Sequence, residues 1–400
     1  MFRTFLSSLV PGLLFAAVAA AEPPAPARAS SNPDISLILN GRYAAFAQPA
    51  GTYQLPGFAV SPDAGPGKEG FSLGESELLL SATIDPDFRG VAALSLKDED
   101  GSTKVDLEEA YFETRALPYG FTIRGGRFNS RIGYLNGFHR HADNFADRPL
   151  PYRAMLANRD GDFGVYADDG IQVRWLAPTD LYLELGAELF NGTSFPAGGA
   201  ARSGKGTNTL FAHVGGDVGT SHAWRAGLSR LDANAKGRQS GEPSNSDSFT
   251  GGSQLTILDF VWKWAPDRNP RQRNLKLQAE FFKREEIGTF TPGGGGATAY
   301  NGQQKGWYAQ GIYQFMPRWR AGLRLDRLEA STVNAALAGT ALDTQGHRPE
   351  RRSAMVDFSN SEFSRIRLQF NRDNSRPGPA DRQWFIQYVT SLGAHGAHSF

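Results

Sequence analysis

The strongest constraint on this chain is an alternation that recurs almost to its end. Leu181, Leu183, Leu185, Ala187 and Leu189 interleave with Tyr182, Glu184, Gly186 and Glu188. Leu275, Leu277, Ala279 and Phe281 interleave with Lys276, Gln278, Glu280 and Phe282. Trp319, Ala321, Leu323 and Leu325 alternate with Arg320, Gly322, Arg324 and Asp326, and Ile366, Leu368 and Phe370 with Arg365, Arg367, Gln369 and Asn371. A period of two means strands with one apolar and one polar face. A soluble sandwich would hide the apolar face against a second sheet. A membrane barrel turns it to lipid and keeps the charged face in a wet lumen.

Connection lengths favour the barrel. Sixteen strand-like segments run from 34–47 to 382–393. Short turns at Asp85–Phe88, Leu117–Gly120, Ala177–Thr179, Gly219–Ser221, Met316–Pro317 and Asn360–Ser361 alternate with long links at 48–70, 132–168, 191–207, 232–253, 286–304 and 329–352. Short turns on one rim and long loops on the other are the outer-membrane pattern, and an even strand number puts both termini on the short-turn side. Trp175, Trp262, Trp264, Trp307, Trp319 and Trp384 fall near expected strand ends, as aromatic girdles would. The fold class expected is all-β: a transmembrane antiparallel β-barrel of about sixteen strands with a long third extracellular loop.

Residues 1–21 read as a signal peptide: Arg3, then an apolar run ending in Ala19-Ala20-Ala21. Residues 22–33 read as a flexible periplasmic lead-in and 34–400 as the barrel, which places the protein in a bacterial outer membrane, in contact with its lipid. With 42 basic and 41 acidic residues, the chain loses only Arg3 with the signal and becomes formally neutral. That balance excludes a nucleic-acid binder relying on bulk positive charge. The absence of cysteine excludes a disulfide framework and thiol chemistry.

Sixteen strands enclose an aqueous channel, so the chemistry must come from inward residues and one loop. The inward cations expected are Arg42, Arg124, Arg174, Lys276, Arg320, Arg324, Arg365 and Arg367, and the inward anions include Glu109, Glu113, Glu184 and Glu188. Opposite signs on opposite walls would set a transverse field that screens permeants. The plainer alternative is that most of these charges pair with one another. The longest link, 132–168, carries Arg140, Arg148 and Arg153 among Asp143 and Asp147; by position and length it resembles the third loop that folds into and narrows sixteen-stranded porins, which makes it the candidate constriction loop, the alternative being a solvated extracellular loop.

The stretch VDLEEAYFETRALPYGFTIRGGRFNSRIG (105–133), followed by that long link, resembles the strand four–five hairpin of the phosphate-selective porin O and P family. The ending QWFIQYVTSLGAHGAHSF resembles the last strand of related outer-membrane proteins. The resemblance implies an anion-carrying sixteen-stranded barrel, with Arg124 as a pore-wall base, and a homotrimer.

His139 and His141, with His395 and His398, are expected to be ordinary surface residues, so no metal and no cofactor is expected. His213 with Asp217 lacks an inward serine, which argues against a barrel enzyme, and residues 22–33 contain no globular plug of the kind a TonB-dependent transporter needs. The expectation is a non-enzymatic porin passing small hydrophilic solutes, with anions or oxyanions such as phosphate as the finer reading. A substrate-specific or TonB-dependent-receptor-like transporter and a barrel enzyme are the alternatives.

Overall fold

The computed structural model describes residues 33–60, 64–99, 102–156, 164–199, 206–241 and 243–393. Residues 1–21, expected to be a signal peptide, nearly all of the expected lead-in, and Phe400, His395 and His398 lie outside them.

Sixteen strands form one antiparallel barrel. They are β1 (Asp34–Phe46), β2 (Gly70–Leu73 continued by Ser76–Thr83), β3 (Phe88–Glu99), β4 (Ser102–Thr114), β5 (Phe121–Asn129), β6 (Ala167–Leu176), β7 (Tyr182–Phe190) and β8 (Thr207–Val218). There follow β9 (His222–Ser240), β10 (Asp247–Trp264), β11 (Asn274–Thr291), β12 (Thr298–Met316), β13 (Trp319–Ala330), β14 (Glu350–Ser361), β15 (Ser364–Asn374) and β16 (Asp381–Gly393). Each strand pairs with its sequence neighbours, and β1 meets β16 from Ser36↔Gly393 to Phe46↔Gln383, which closes the sheet. Closure leaves no strand edge to satisfy in hydrocarbon. Among the described residues no helix is long and apolar enough to cross a membrane.

The alternation divides the wall as the sequence requires. Leu185, Leu189, Leu210, Leu228, Leu258, Phe281, Leu323, Ile366, Leu368 and Ile386 face outward and are exposed, while Glu184, Glu188, Asp259, Glu280, Arg324 and Arg367 face inward and are buried. Trp319, Trp384 and Tyr313 sit exposed on the outer face near strand ends, and Tyr388 is exposed in mid-strand.

The links at 232–253 and 286–304 are not loops, contrary to the sequence expectation. β9 to β12 run 19, 18, 18 and 19 residues, well beyond the roughly ten a strand needs to cross. Their turns shrink to 241–246 and 292–297. The cause is a second apolar cluster beyond the membrane belt, where Ala235, Phe249, Phe290 and Tyr300 pack against Ala59, Leu337 and Leu342 from neighbouring long links. Trp307 therefore lies in mid-strand rather than near a strand end. At Gly237 (φ 70°) a bulge shifts the β9 register so that Arg238 faces inward.

Candidate functional site: the in-folded segment and the cavity beneath it

The described parts of the segment 130–166 between β5 and β6, residues 130–156 and 164–166, fold into the barrel. Its base is stitched by its own groups: the Ser130 amide donates to the Tyr166 carbonyl at 3.0 Å. The Asn136 side-chain amide donates to the Ser130 and Tyr166 carbonyls (2.8 and 2.9 Å), and its oxygen accepts from the Tyr166 amide at 2.6 Å. From that base the chain reaches one wall after another. Ser130 Oγ donates to Glu188, and the Gly133 amide donates to Ser229 Oγ on β9 at 3.1 Å. The amides of Tyr134 and Leu135 donate to the Glu280 carboxylate on β11 at 3.0 and 3.2 Å, and the Tyr152 hydroxyl donates to it at 2.8 Å. Gly133 (φ 63°) is required here, since a Cβ would stand 2.5 Å from Glu280 Oε2.

A short helix, α1 (Leu150–Met155), is wholly buried. Leu150, Tyr152 and Met155 join Phe128, Phe190, Leu231, Ile257, Phe282 and Leu328 of the wall in one apolar cluster within the lumen. The cluster forms because these inward positions are apolar and the segment supplies their partners, so part of the lumen that sixteen strands enclose is filled by side chains.

Asp147 holds the segment to the far wall. Its carboxylate accepts from Arg324 (2.8 Å), Gln369 (2.7 Å) and Asn371 (3.0 Å) and pairs with Arg351 at 2.8 Å. Burial alone would raise its pKa, but Arg351, Arg324 and Arg153 more than offset that and hold it well below the usual carboxylate range. Around it, Arg148 pairs with Asp143 at 2.7 Å, Arg367 donates to the Asp143 carbonyl (2.8 Å), Arg365 to the His141 carbonyl (2.9 Å), and Arg351 to the Arg148 carbonyl (2.6 Å).

The structure places each expected site residue as follows. Arg324, Arg365 and Arg367 are anchors for the in-folded segment rather than bare pore wall. Arg124 and Arg174 share Glu113 at 2.6 and 2.8 Å, and Arg174 also reaches Glu184 at 3.3 Å. Arg320 pairs with Asp357 at 2.7 Å. Arg42 donates to the Lys68 carbonyl at 3.3 Å, Arg140 pairs with Glu75 at 3.2 Å, and Arg153 lies 5.5 Å from the Tyr53 ring centroid. Glu188 anchors Ser130, and Glu109 accepts from the Asn129 amide at 2.8 Å. For Arg124, Arg140, Arg174, Arg320 and Arg324, pairing with a carboxylate prevails over opposed walls. His213 contacts Glu184 (3.1 Å), whereas Asp217 is exposed.

His139 and His141 are not surface residues. They lie within the lumen, 16% and 7% exposed, against Glu77, Glu108 and Glu109. Glu108 escaped the sequence reading because strict alternation gives inward positions only to Glu109 and Glu113. A bulge opposite Ala93/Leu94 sets Glu108 and Glu109 both inward. Arg351 was missed because the expected strand began at residue 353, two positions too late.

Of the expected cations, Lys276 and Arg365 line open space at one rim. A cavity of about 1020 Å3 lies at the short-turn rim, floored by Tyr134, Leu135 and Phe138 and lined by Lys263, Arg271, Lys276, Arg318 and Arg365 against Asp143 and Glu362. Lys263 on β10 is directly cross-strand from Lys276 on β11. The Lys276 ammonium sits 4.6 Å from the Tyr134 ring centroid. A second cavity of about 490 Å3 adjoins it and adds Arg268 and Arg320.

No family model matches the sequence. A protein of Aquifex aeolicus (strain VF5), itself described only as uncharacterized, is 31% identical over 353 residues, covering 83% of this chain and 71% of that one. The chain belongs to the family of that protein. Solved structures with the same fold include the outer membrane channel DcaP of Acinetobacter baumannii (TM-score 0.54, 10% identity, 90% of this chain and 97% of that one). An anion-selective porin from Comamonas acidovorans (TM-score 0.53, 11% identity) covers 90% of this chain and 99% of its own. Pseudomonas putida OprB gives a TM-score of 0.52 at 13% identity, covering 90% of this chain and 94% of its own. The structural neighbours are thus outer-membrane β-barrels, mainly porins and channels.

Proposed function

We propose that this chain is an outer-membrane channel of the porin type, passing small hydrophilic solutes without catalysis, with a preference for anions or oxyanions. The observation that supports the anion preference is the cavity at the short-turn rim, with five basic side chains against two acidic ones. Like charges set directly opposite on neighbouring strands, as Lys263 and Lys276 are, destabilise a sheet. A passing anion relieves that repulsion, and the guanidiniums of Arg318, Arg365 and Arg271 suit carboxylate or phosphate oxygens. The likeness of 105–133 to the phosphate-selective porins points the same way, and the neighbouring anion-selective porin adds a parallel. A homotrimer, outer-membrane lipid at the apolar band and export by a cleaved signal at 1–21 complete the reading.

The packing of segment 130–166 makes it the element that sets conductance. The test is single-channel current in a planar bilayer, with the reversal potential across a salt gradient, on the full-length mature protein and on a variant lacking 140–160. Discrete steps with anion bias, enlarged by the deletion, are expected. Steps with cation bias would discard the anion preference. Silence from both folded proteins would overturn the channel reading.

A further inference from the structure

Among the described residues, Glu77, Glu108 and His139 form a group whose side chains could hold a metal ion, with His141 and Glu109 beside them. His139 and His141 stand on the segment 130–166, two residues apart across a tight turn at Arg140–Ala142. Glu77 comes from β2, and Glu108 and Glu109 from the bulge in β4. Glu77 is fully buried, and Glu108 and Glu109 nearly so.

The donor atoms converge. His139 Nδ1 lies 3.0 Å from Glu77 Oε2 and 3.6 Å from Glu108 Oε2, and His141 Nδ1 lies 3.3 Å from the same Glu77 oxygen. Glu77, Glu108 and His139 each offer an atom within 4.8 Å of the others. A tetrahedral zinc with ligands at about 2.0–2.2 Å has donor–donor edges of about 3.3–3.6 Å, close to the 3.0–3.6 Å seen here. The opposite nitrogen of His139, Nε2, is 2.9 Å from Glu109 Oε2. A carboxylate behind a histidine's far nitrogen fixes the tautomer that offers the near nitrogen to a metal. Three carboxylates and two imidazoles thus meet at one place inside the barrel, with Arg140 against Glu75 beside them.

We propose that Glu77, Glu108, His139 and His141 form a divalent transition-metal site of the zinc type, oriented by Glu109, that fastens the in-folded segment to the β2–β4 wall. Two imidazoles and two carboxylate oxygens suit Zn2+, and Co2+ reports on the same geometry. The site stands whether or not the barrel conducts.

The mature protein, folded into detergent and stripped with EDTA, is titrated with Zn2+ by calorimetry and with Co2+ by visible absorption. One Zn2+ per chain and an intense tetrahedral Co2+ spectrum are expected. Both should be lost in His139→Ala, while Glu109→Gln should weaken binding about 10- to 100-fold. If His139→Ala does not reach the heat-modifiable folded form, His141→Gln and Glu77→Gln carry the same test. Zn2+ uptake equal in the wild type and the ligand variants, a weak octahedral Co2+ spectrum, or no uptake at pH 7.5 would each overturn the site. The last result would leave a protonated His139 held between Glu77 and Glu109.

Discussion

Replacing Asp147 with alanine should release the segment inside the barrel without opening the barrel itself. The carboxylate meets Arg324, Arg351, Gln369 and Asn371 at 2.7 to 3.0 Å, all of them buried. Removing one member of a buried ion pair costs about 3–5 kcal/mol, because the remaining charge is left uncompensated. Both arginines keep Asp326, at 2.8 Å from Arg351 and 3.0 Å from Arg324, which places the cost near the lower end, about 3 kcal/mol. At about 1.4 kcal/mol per factor of ten, that is roughly a hundredfold rise in the population with the segment undocked. The strand pairing β13–β16 does not use the Asp147 side chain, so the folded, heat-modifiable band on a gel should persist. Single-channel recording at fixed voltage should show a larger or more frequently open state. An unaltered conductance and open fraction, with the barrel intact, would mean that Asp147 does not hold the element limiting the current.

Three further outcomes follow from the same geometry. Asp147 has a folded pKa below its unfolded value, near 3.9. Its contribution is therefore present above about pH 4 and lost as pH falls through the depressed native value, so acid should undock the segment only well below pH 4; undocking at pH 5–6, read by protease accessibility, would contradict this. Tyr152→Phe removes the hydroxyl shared by Glu280 and the Leu135 and Asn136 amides, costing about 1–3 kcal/mol, which denaturant titration of the segment's proteolysis should register. Lys276→Glu should move the reversal potential toward cations while leaving folding unchanged, since its cavity position is solvent-lined; an unmoved potential would take the short-turn cavity off the ion path.

The barrel was legible because its signal is repeated many times. Leu185 and Leu189 outward with Glu184 and Glu188 inward needs only period two, and sixteen such segments average away local errors. What was not legible depends on breaks in that period or on contacts distant in sequence. The bulge at Glu108 moves one carboxylate to the lumen and cannot be inferred from alternation. The strand extensions at 232–240 and 286–291 exist because Leu337 and Leu342, far along the chain, cover them. Alternation names candidate inward charges but not what each of them holds. Arg365 and Arg367 grip backbone carbonyls of residues over 200 positions away in sequence. Arg324 holds the side chain of Asp147, likewise distant in the chain.

Ser130 and Tyr166 touch across the base of the long insertion, one residue beyond β5 and β6, which are themselves paired from Phe121↔Trp175 to Asn129↔Ala167. The insertion thus enters and leaves the wall at a single point, and β5–β6 register is set without it. Barrel and insert are a socket and a cartridge. Natural variation or an engineer can exchange the cartridge for a tight turn, or for another sequence of different charge, and leave the socket's sixteen-strand closure as it was.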